Sequence, residues 1–358
     1  DYSTVIRYFT AITYFLMTLS VATCAQDLPV VQKKKPQADA AQPAAKQAQK
    51  LPPDQNKFAV VITGISGEES YTRKFAEWTN KLRDALTGQL GFAEEKTFVL
   101  TEKPEGEERR ATAEAVRQLF VELKNSLKPD NQLFIFFIGH GSFVDKVAKF
   151  NLVGPDLDVS NYALMLNALP VKTVVVVNMA SASGEFVKPL SGEGRIIITA
   201  TRSGMELNAT KFPEHFINAL GNTEADADKN GRVSVFEAFE YASKMTESGF
   251  KQKGILATEH SLLDDNGDGK GFEKTPEKPE TGDGAFAKLV YFDSLPQQQA
   301  GGDPALAKLY SERLRLEGDI GRLKGRKAQM SEDEFDNELE KLLVELATLN
   351  QTIKASKK

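Results

Sequence analysis

The sequence predicts an α/β protein: a three-layer sandwich around a mostly parallel sheet, followed by a C-terminal α-helical hairpin. Three observations lead there. From Lys57 onward, short apolar runs alternate with amphipathic helical patterns, the signature of strands and helices that exchange along the chain. Two of those runs, "LFIFFI" and "VVVV", are apolar at every position, so both faces of these strands must be covered, as they are in parallel sheets flanked by helices. Beyond residue 303 the apolar residues change to a 3,4 spacing, the seam of packed helices.

The elements follow in order. Strands are expected over 57–64 ("KFAVVITG"), 96–101 ("KTFVLT"), 132–139 ("QLFIFFIG"), 172–179 ("KTVVVVNM") and 195–201 ("RIIITAT"). Helices are expected over 71–86, 112–127, 162–169 and 213–220. Residues 251–287, rich in Gly, Asp, Glu and Lys, read as an irregular excursion, after which "AKLVYFD" (287–293) reads as a last strand returning to the sheet. The main domain is therefore expected over 57–295 and its ligand site beyond the carboxyl ends of the strands. Within 303–358, Leu306, Leu309, Arg313, Leu316, Ile320 and Leu323 form one helical seam, and Phe335, Leu339, Leu342, Leu346, Leu349 and Ile353 the other. Ser331 with Glu334 makes a capping box at the start of the second arm. Arms this short are marginal alone, so the hairpin is expected to dock on the domain or to pair with a second copy as a coiled coil.

The first 25 residues, with Arg7 ahead of an apolar stretch from Tyr8 to Val21 and small residues after it, read as a secretory signal peptide cleaved after Ala25. Residues 26–56, rich in Ala, Gln, Lys and Pro, read as a disordered tether. The expectation is an exported protein, periplasmic or secreted, that touches the membrane only if the signal stays uncleaved or Cys24 is lipidated. Cys24 is the single cysteine. Cleavage behind it leaves no disulfide, no thiolate metal site and no catalytic thiol. A net charge of −5 gives no basic surplus for phosphates, so nucleic acid is not the expected partner.

Two strand ends carry the chemistry. "LFIFFIGHGSF" places His140 and Gly141 just past one strand, and "VVVVNMASASGEF" places Ser181 just past the next. A histidine there can act as a general base, and the amides of Gly141 and Ser181 could together hold an oxyanion. In these residues the chain resembles the caspase-like fold of cysteine peptidases, in particular the legumain branch and related bacterial proteins. In that family an apolar strand ends in His-Gly, and the next sheet strand ends in a turn of Glu-Ala-Cys-Glu-Ser-Gly type whose Cys is the nucleophile. Here His140, Gly141, Ala180, Ser183 and Gly184 match, and the nucleophile position is Ser181. The resemblance spans roughly residues 57–248, including "IIITATRSG". It implies peptidase ancestry with the catalytic Cys replaced by Ser. It also places Met179 where the family has an acidic residue lining the substrate pocket.

The replacement matters because a thiol, with a reference pKa near 8.5, ionises readily beside an imidazole. Serine needs a histidine supported by a buried carboxylate, and the sequence identifies none; Asp145 and Asp156 are near only in the chain. Three functions follow: a peptidase homologue without cysteine-peptidase activity that binds a peptide or protein ligand or regulates a partner, an active serine hydrolase with a His140–Ser181 dyad, and a calcium-stabilised structural protein.

The third rests on "DADKNGRVSVFE", residues 226–237, which satisfies the spacing of a calcium loop. Asp226, Asp228 and Asn230 would offer side-chain oxygens, Gly231 the sharp turn, Arg232 its carbonyl, Ser234 a water-linked hydroxyl and Glu237 a bidentate carboxylate. The metal-free alternative is an Asx-rich turn that caps the following helix. "DDNGDGKG" at 264–271 repeats Asp264, Asn266, Asp268 and Gly269 but has Thr275 in place of the closing Glu, so it reads first as a solvated loop and second as a weak calcium site. His215 and His260 carry no pattern, and the scattered histidines offer no catalytic zinc site.

Overall fold

The structure, a computed structural model, describes residues 53–230, 232–273, 282–293, 300 and 303–356. The expected export segment with Cys24, most of the tether, Gly231 and Thr275 lie outside the described residues. The strands are β1 (Lys57–Thr63), β2 (Thr97–Thr101), β3 (Arg109–Arg110), β4 (Gln132–Ile138), β5 (Gly141–Val144), β6 (Val147–Phe150), β7 (Leu157–Asp158), β8 (Thr173–Asn178), β9 (Arg195–Thr199) and β10 (Leu262–Asp264). The helices are α1 (Glu69–Asp84), α2 (Ala113–Ser126), α3 (Val159–Asn167), α4 (Val187–Leu190), α5 (Phe212–Ala219), α6 (Val235–Gln252), α7 (Pro304–Gly325) and α8 (Glu332–Ser356).

Seven strands form one sheet in the order β10-β9-β8-β4-β1-β2-β3. Every pairing in it is parallel except that of β10 with β9. The consecutive apolar residues split by parity, as a pleat requires. Phe134, Phe136 and Ile138 enter one core with Phe75, Trp78, Phe212, Phe216, Phe236 and Phe239. Leu133, Ile135 and Phe137 enter the other with Val116, Leu119, Phe120, Tyr162 and Leu190. Helices α1, α5 and α6 therefore cover one face and α2, α3 and α4 the other, giving the expected three layers. Each fully buried Phe contributes about 1.5–3 kcal/mol. The helix starts are fixed locally: Thr112 accepts the Ala115 amide at α2, Asp158 accepts the Asn161 amide at α3, and Ser234 with Glu237 forms a complete capping box at α6.

Three features depart from the sequence expectation. The domain begins before Lys57, because Asp54 is buried and its amide donates to the Gly91 carbonyl at 2.8 Å. A small antiparallel sheet, β5-β6-β7, follows His140. Residues 287–293 are not a strand: the segment runs as turns, and β10 closes the sheet edge instead. The reason is that its carbonyls have other donors. Val235 donates to the Val290 carbonyl and Phe236 to the Ala287 carbonyl, while the Lys57 ammonium donates to the Tyr291, Phe292 and Asp293 carbonyls.

Lys57 is buried, and desolvation lowers its pKa to about 8, against the attraction of Asp54 and Asp293. Above that pH the folded state sheds the proton while the unfolded chain, with a lysine near 10.4, still holds it. The unfolded state then binds more protons, so this residue makes stability rise with pH between about 8 and 10, by roughly 3 kcal/mol at most. Urea denaturation across that window should show the rise, and Lys57→Met should flatten it relative to the parent.

The helical hairpin is present. Ser331 and Glu334 exchange both bonds of a capping box at α8. The arms pack through Ala307, Tyr310 and Ile353 with Leu306, Leu309 and Leu349. The hairpin docks on the domain: α7 approaches so closely at Gly321 that a Cβ there would stand 2.1 Å from Leu289 Cδ1. Arg322 donates to the Thr173 hydroxyl at 3.1 Å, and Arg326 pairs with Glu193 at 2.6 Å. Leu343 and Val344 on α8 remain exposed. Among the described residues no helix is long and apolar enough to cross a membrane.

Candidate functional site

Strands β4 and β8 are neighbours, with Phe137 opposite Asn178, so the His140 and Ser181 segments leave the sheet side by side. The approach of the two chains is close because residue 141 has no side chain: a Cβ there would lie 2.3 Å from the Ser181 carbonyl oxygen. Ser181 is 2% exposed, and both hydrogen-bonding roles of its hydroxyl are taken by Gly141. Its Oγ accepts from the Gly141 amide at 3.2 Å and donates to the Gly141 carbonyl at 3.2 Å.

The rest of the turn is held by its backbone and by small side chains. Ala182 is left-handed (φ 54, ψ 20), a conformation that costs a non-glycine residue about 1–2 kcal/mol. Its amide donates to the Glu206 carbonyl at 2.9 Å, the Gly184 amide donates to the Thr201 hydroxyl at 3.0 Å, and the Thr210 hydroxyl donates to the Met179 carbonyl at 2.6 Å. Met179 itself is fully buried in the core with Val177, so its side chain lines no open pocket.

His140 is turned toward α1. Its ring lies edge-on to Tyr71 with centroids 4.8 Å apart and against Phe75 at 5.1 Å. Desolvation lowers its pKa, opposed by the nearby Ser66 backbone and by the charge of Glu68. No hydrogen bond joins the imidazole to Ser181, and no carboxylate among the described residues accepts from it. Asp156 accepts from the Leu152 amide, and Asp145 sits with positive φ in the β5–β6 turn. The structure thus brings His140, Gly141 and Ser181 to one sheet edge, but the hydroxyl is sequestered and the base faces elsewhere. The Gly141 amide, proposed for an oxyanion, is already engaged by the Ser181 hydroxyl.

Sequence reading passed over Glu206 and His260. The Glu206 carboxylate accepts from the Arg202 amide at 3.0 Å and the His260 amide at 3.1 Å, and pairs with His260 Nδ1 at 2.5 Å. This fixes the loop whose Met205 and Leu207 are 74% and 56% exposed and whose Glu206 carbonyl holds the Ala182 amide. With 54 positions between the partners, no local motif announces the pair. His215 is half-buried, and burial lowers its pKa.

In the 226–237 loop, oxygens of Asp226, Asp228 and Glu237 lie within 4.8 Å of one another. Glu237 is fully engaged by protein donors: Oε1 accepts from the Ala227 and Asp228 amides, and Oε2 from the Ser234 amide and hydroxyl. Asn230 donates through its side chain to Asp228 and Tyr291. Ser234 caps α6, while the Arg232 guanidinium stacks on Tyr291 and pairs with Asp293 at 2.5 Å. These bonds match the Asx-turn and cap geometry, and the three carboxylates are also close enough to share a cation.

No protein-family model and no curated protein matches the chain. Among solved structures it is similar to protein GSU0716 of Geobacter sulfurreducens, with a TM-score of 0.42 and 12% identity over 66% of this chain and 98% of that one. It is also similar to the Drosophila initiator caspase Dronc, with a TM-score of 0.39 and 12% identity over 72% of this chain and 97% of that one.

Proposed function

We propose that the chain is a caspase/legumain-like peptidase homologue that has lost cysteine-peptidase chemistry and serves as a peptide-binding or regulatory module. The observation that carries this reading is the Ser181 hydroxyl, buried and bonded at both roles to Gly141. A nucleophile must be accessible and must hand its proton to a base; this one does neither. The His-Gly strand end, the small-residue turn and the left-handed residue after Ser181 support the ancestry. The binding surface is the rim of the same edge, where Met205 and Leu207 project into solvent beside the turn.

The full-length chain treated with a fluorophosphonate probe is expected to remain unlabelled. Labelling that disappears in Ser181→Ala and in His140→Ala would establish the serine-hydrolase reading instead. For binding, a pool of extended apolar peptides is expected to lose about tenfold in affinity on Met205→Ser/Leu207→Ser with an unchanged melting temperature. Equal retention by parent and variant in equilibrium dialysis would remove this rim as the binding surface.

A further inference from the structure

A second acidic cluster lies at the open edge of the sheet, away from the residues of the peptidase-like turn. Asp264 ends β10, Asp268 lies in the loop that follows, and Asp283 stands at the start of the 282–293 segment. One carboxylate oxygen from each lies within 4.8 Å of the others. Asp264 is 0% exposed, and neither of its oxygens has a hydrogen-bond partner. Burial raises its pKa, against the nearby Ser191 hydroxyl and Gly267 and Gly269 amides, none of which meets hydrogen-bond geometry. A buried carboxylate without a partner costs several kcal/mol, and here it points at two more carboxylates. Among the described residues no Lys or Arg pairs with any of the three.

We infer that Asp264, Asp268 and Asp283 bind a calcium ion. Oxygen-only ligands suit a hard cation, and calcium takes them at about 2.3–2.6 Å in flexible geometry. Oxygens on opposite sides of such an ion stand up to about 5 Å apart, which accommodates the observed spread. Water and main-chain carbonyls would complete the shell. The sequence shows only a weak half of the site because its closing ligand is not at the expected place. Asp264, Asn266 and Asp268 give the alternating first half of a calcium loop, Thr275 breaks the pattern, and Asp283 supplies the missing carboxylate from further along the chain.

The ligands are braced. Asn266 accepts the Asp268 amide at 2.8 Å, Asp268 accepts the Lys270 amide at 2.8 Å, and Asp283 accepts the Asp265 amide at 3.2 Å. Asp265, between ligand positions, is spent on protein bonds to the Gly284 and Ala287 amides at 2.8 and 2.7 Å. The ion would tie β10 to the segment that places Phe286, Val290 and Phe292 in the core, so its role is to fasten the sheet edge.

The test is calorimetric titration of the full-length chain with calcium chloride after chelator dialysis, in an Asp226→Asn/Asp228→Asn background that disables the other loop. One calcium ion per chain is expected there, with a rise in melting temperature. Asp283→Asn and the exposed Asp268→Asn should each weaken binding at least tenfold, with unchanged circular dichroism. Asp264→Asn should raise the melting temperature in chelator, because it removes the unpaired buried charge, and should abolish the calcium-induced rise. No calcium uptake in the double-variant background overturns the inference, as does an affinity that Asp283→Asn leaves unchanged.

Discussion

Gly141→Ala is expected to lower the melting temperature by about 6–12 °C in a calorimetric or dichroism scan. The added methyl would lie 2.3 Å from the Ser181 carbonyl oxygen and 3.1 Å from that of Lys149, both main-chain atoms, the first in the turn after β8 and the second in β6. Neither can yield as a side chain does. Separation of the strand ends would break both Ser181–Gly141 bonds, about 1 kcal/mol each, and add about 1–3 kcal/mol of overpacking. The low end of that sum, roughly 3 kcal/mol, corresponds to 6–12 °C in a domain of this size. Gly184→Ala, whose methyl would meet the Arg202 carbonyl carbon at 2.2 Å, should behave alike. Gly249→Ala in α6 meets nothing within 4 Å and should stabilise by roughly 0.5–1 kcal/mol, the helical advantage of alanine. If Gly141→Ala and Gly249→Ala had the same effect, the tight apposition of His140 and Ser181 segments would not exist in solution.

The sheet was legible because its information is local. Runs such as Leu133–Ile138 are apolar at every position, and the structure sends alternate residues into two cores. The capping boxes at Ser331 and Ser234 are likewise written within four residues. What escaped was long-range. Residues 287–293 have the composition of a strand, yet their carbonyls are claimed by a lysine over 230 positions away, and a side chain at that distance leaves no periodic trace. The same holds for Asp283 completing a cluster with Asp264, and for His260 meeting Glu206. At the candidate site the sequence supplied the residues but not the direction of the imidazole. That direction depends on Tyr71 and Phe75 of α1, whose helical spacing says only that they are buried or near it.

Ser181→Cys, made with Cys24→Ser so that a single thiol remains, tests whether the surrounding machinery survives. The introduced thiol is expected to react with iodoacetamide at least about 100-fold more slowly than a free cysteine, and the variant should cleave no peptide. Reactivity belongs to the thiolate, which forms near neutral pH only beside a cation or an accepting base. His140 offers neither in this arrangement: desolvation disfavours its charged form, and its ring packs against Tyr71 and Phe75 of α1. The sulfur would also occupy a position now 2% exposed. An edge-on aromatic contact holds the ring by about 0.5–1.5 kcal/mol, so adding Tyr71→Ala should raise the alkylation rate by roughly 2–10-fold if ring orientation is what limits it. Fast alkylation of the variant with Tyr71 intact, together with a bell-shaped pH profile and peptide cleavage, would mean that the imidazole reaches residue 181 in solution. The loss of activity would then rest on the exchange of sulfur for oxygen alone, with the site otherwise competent.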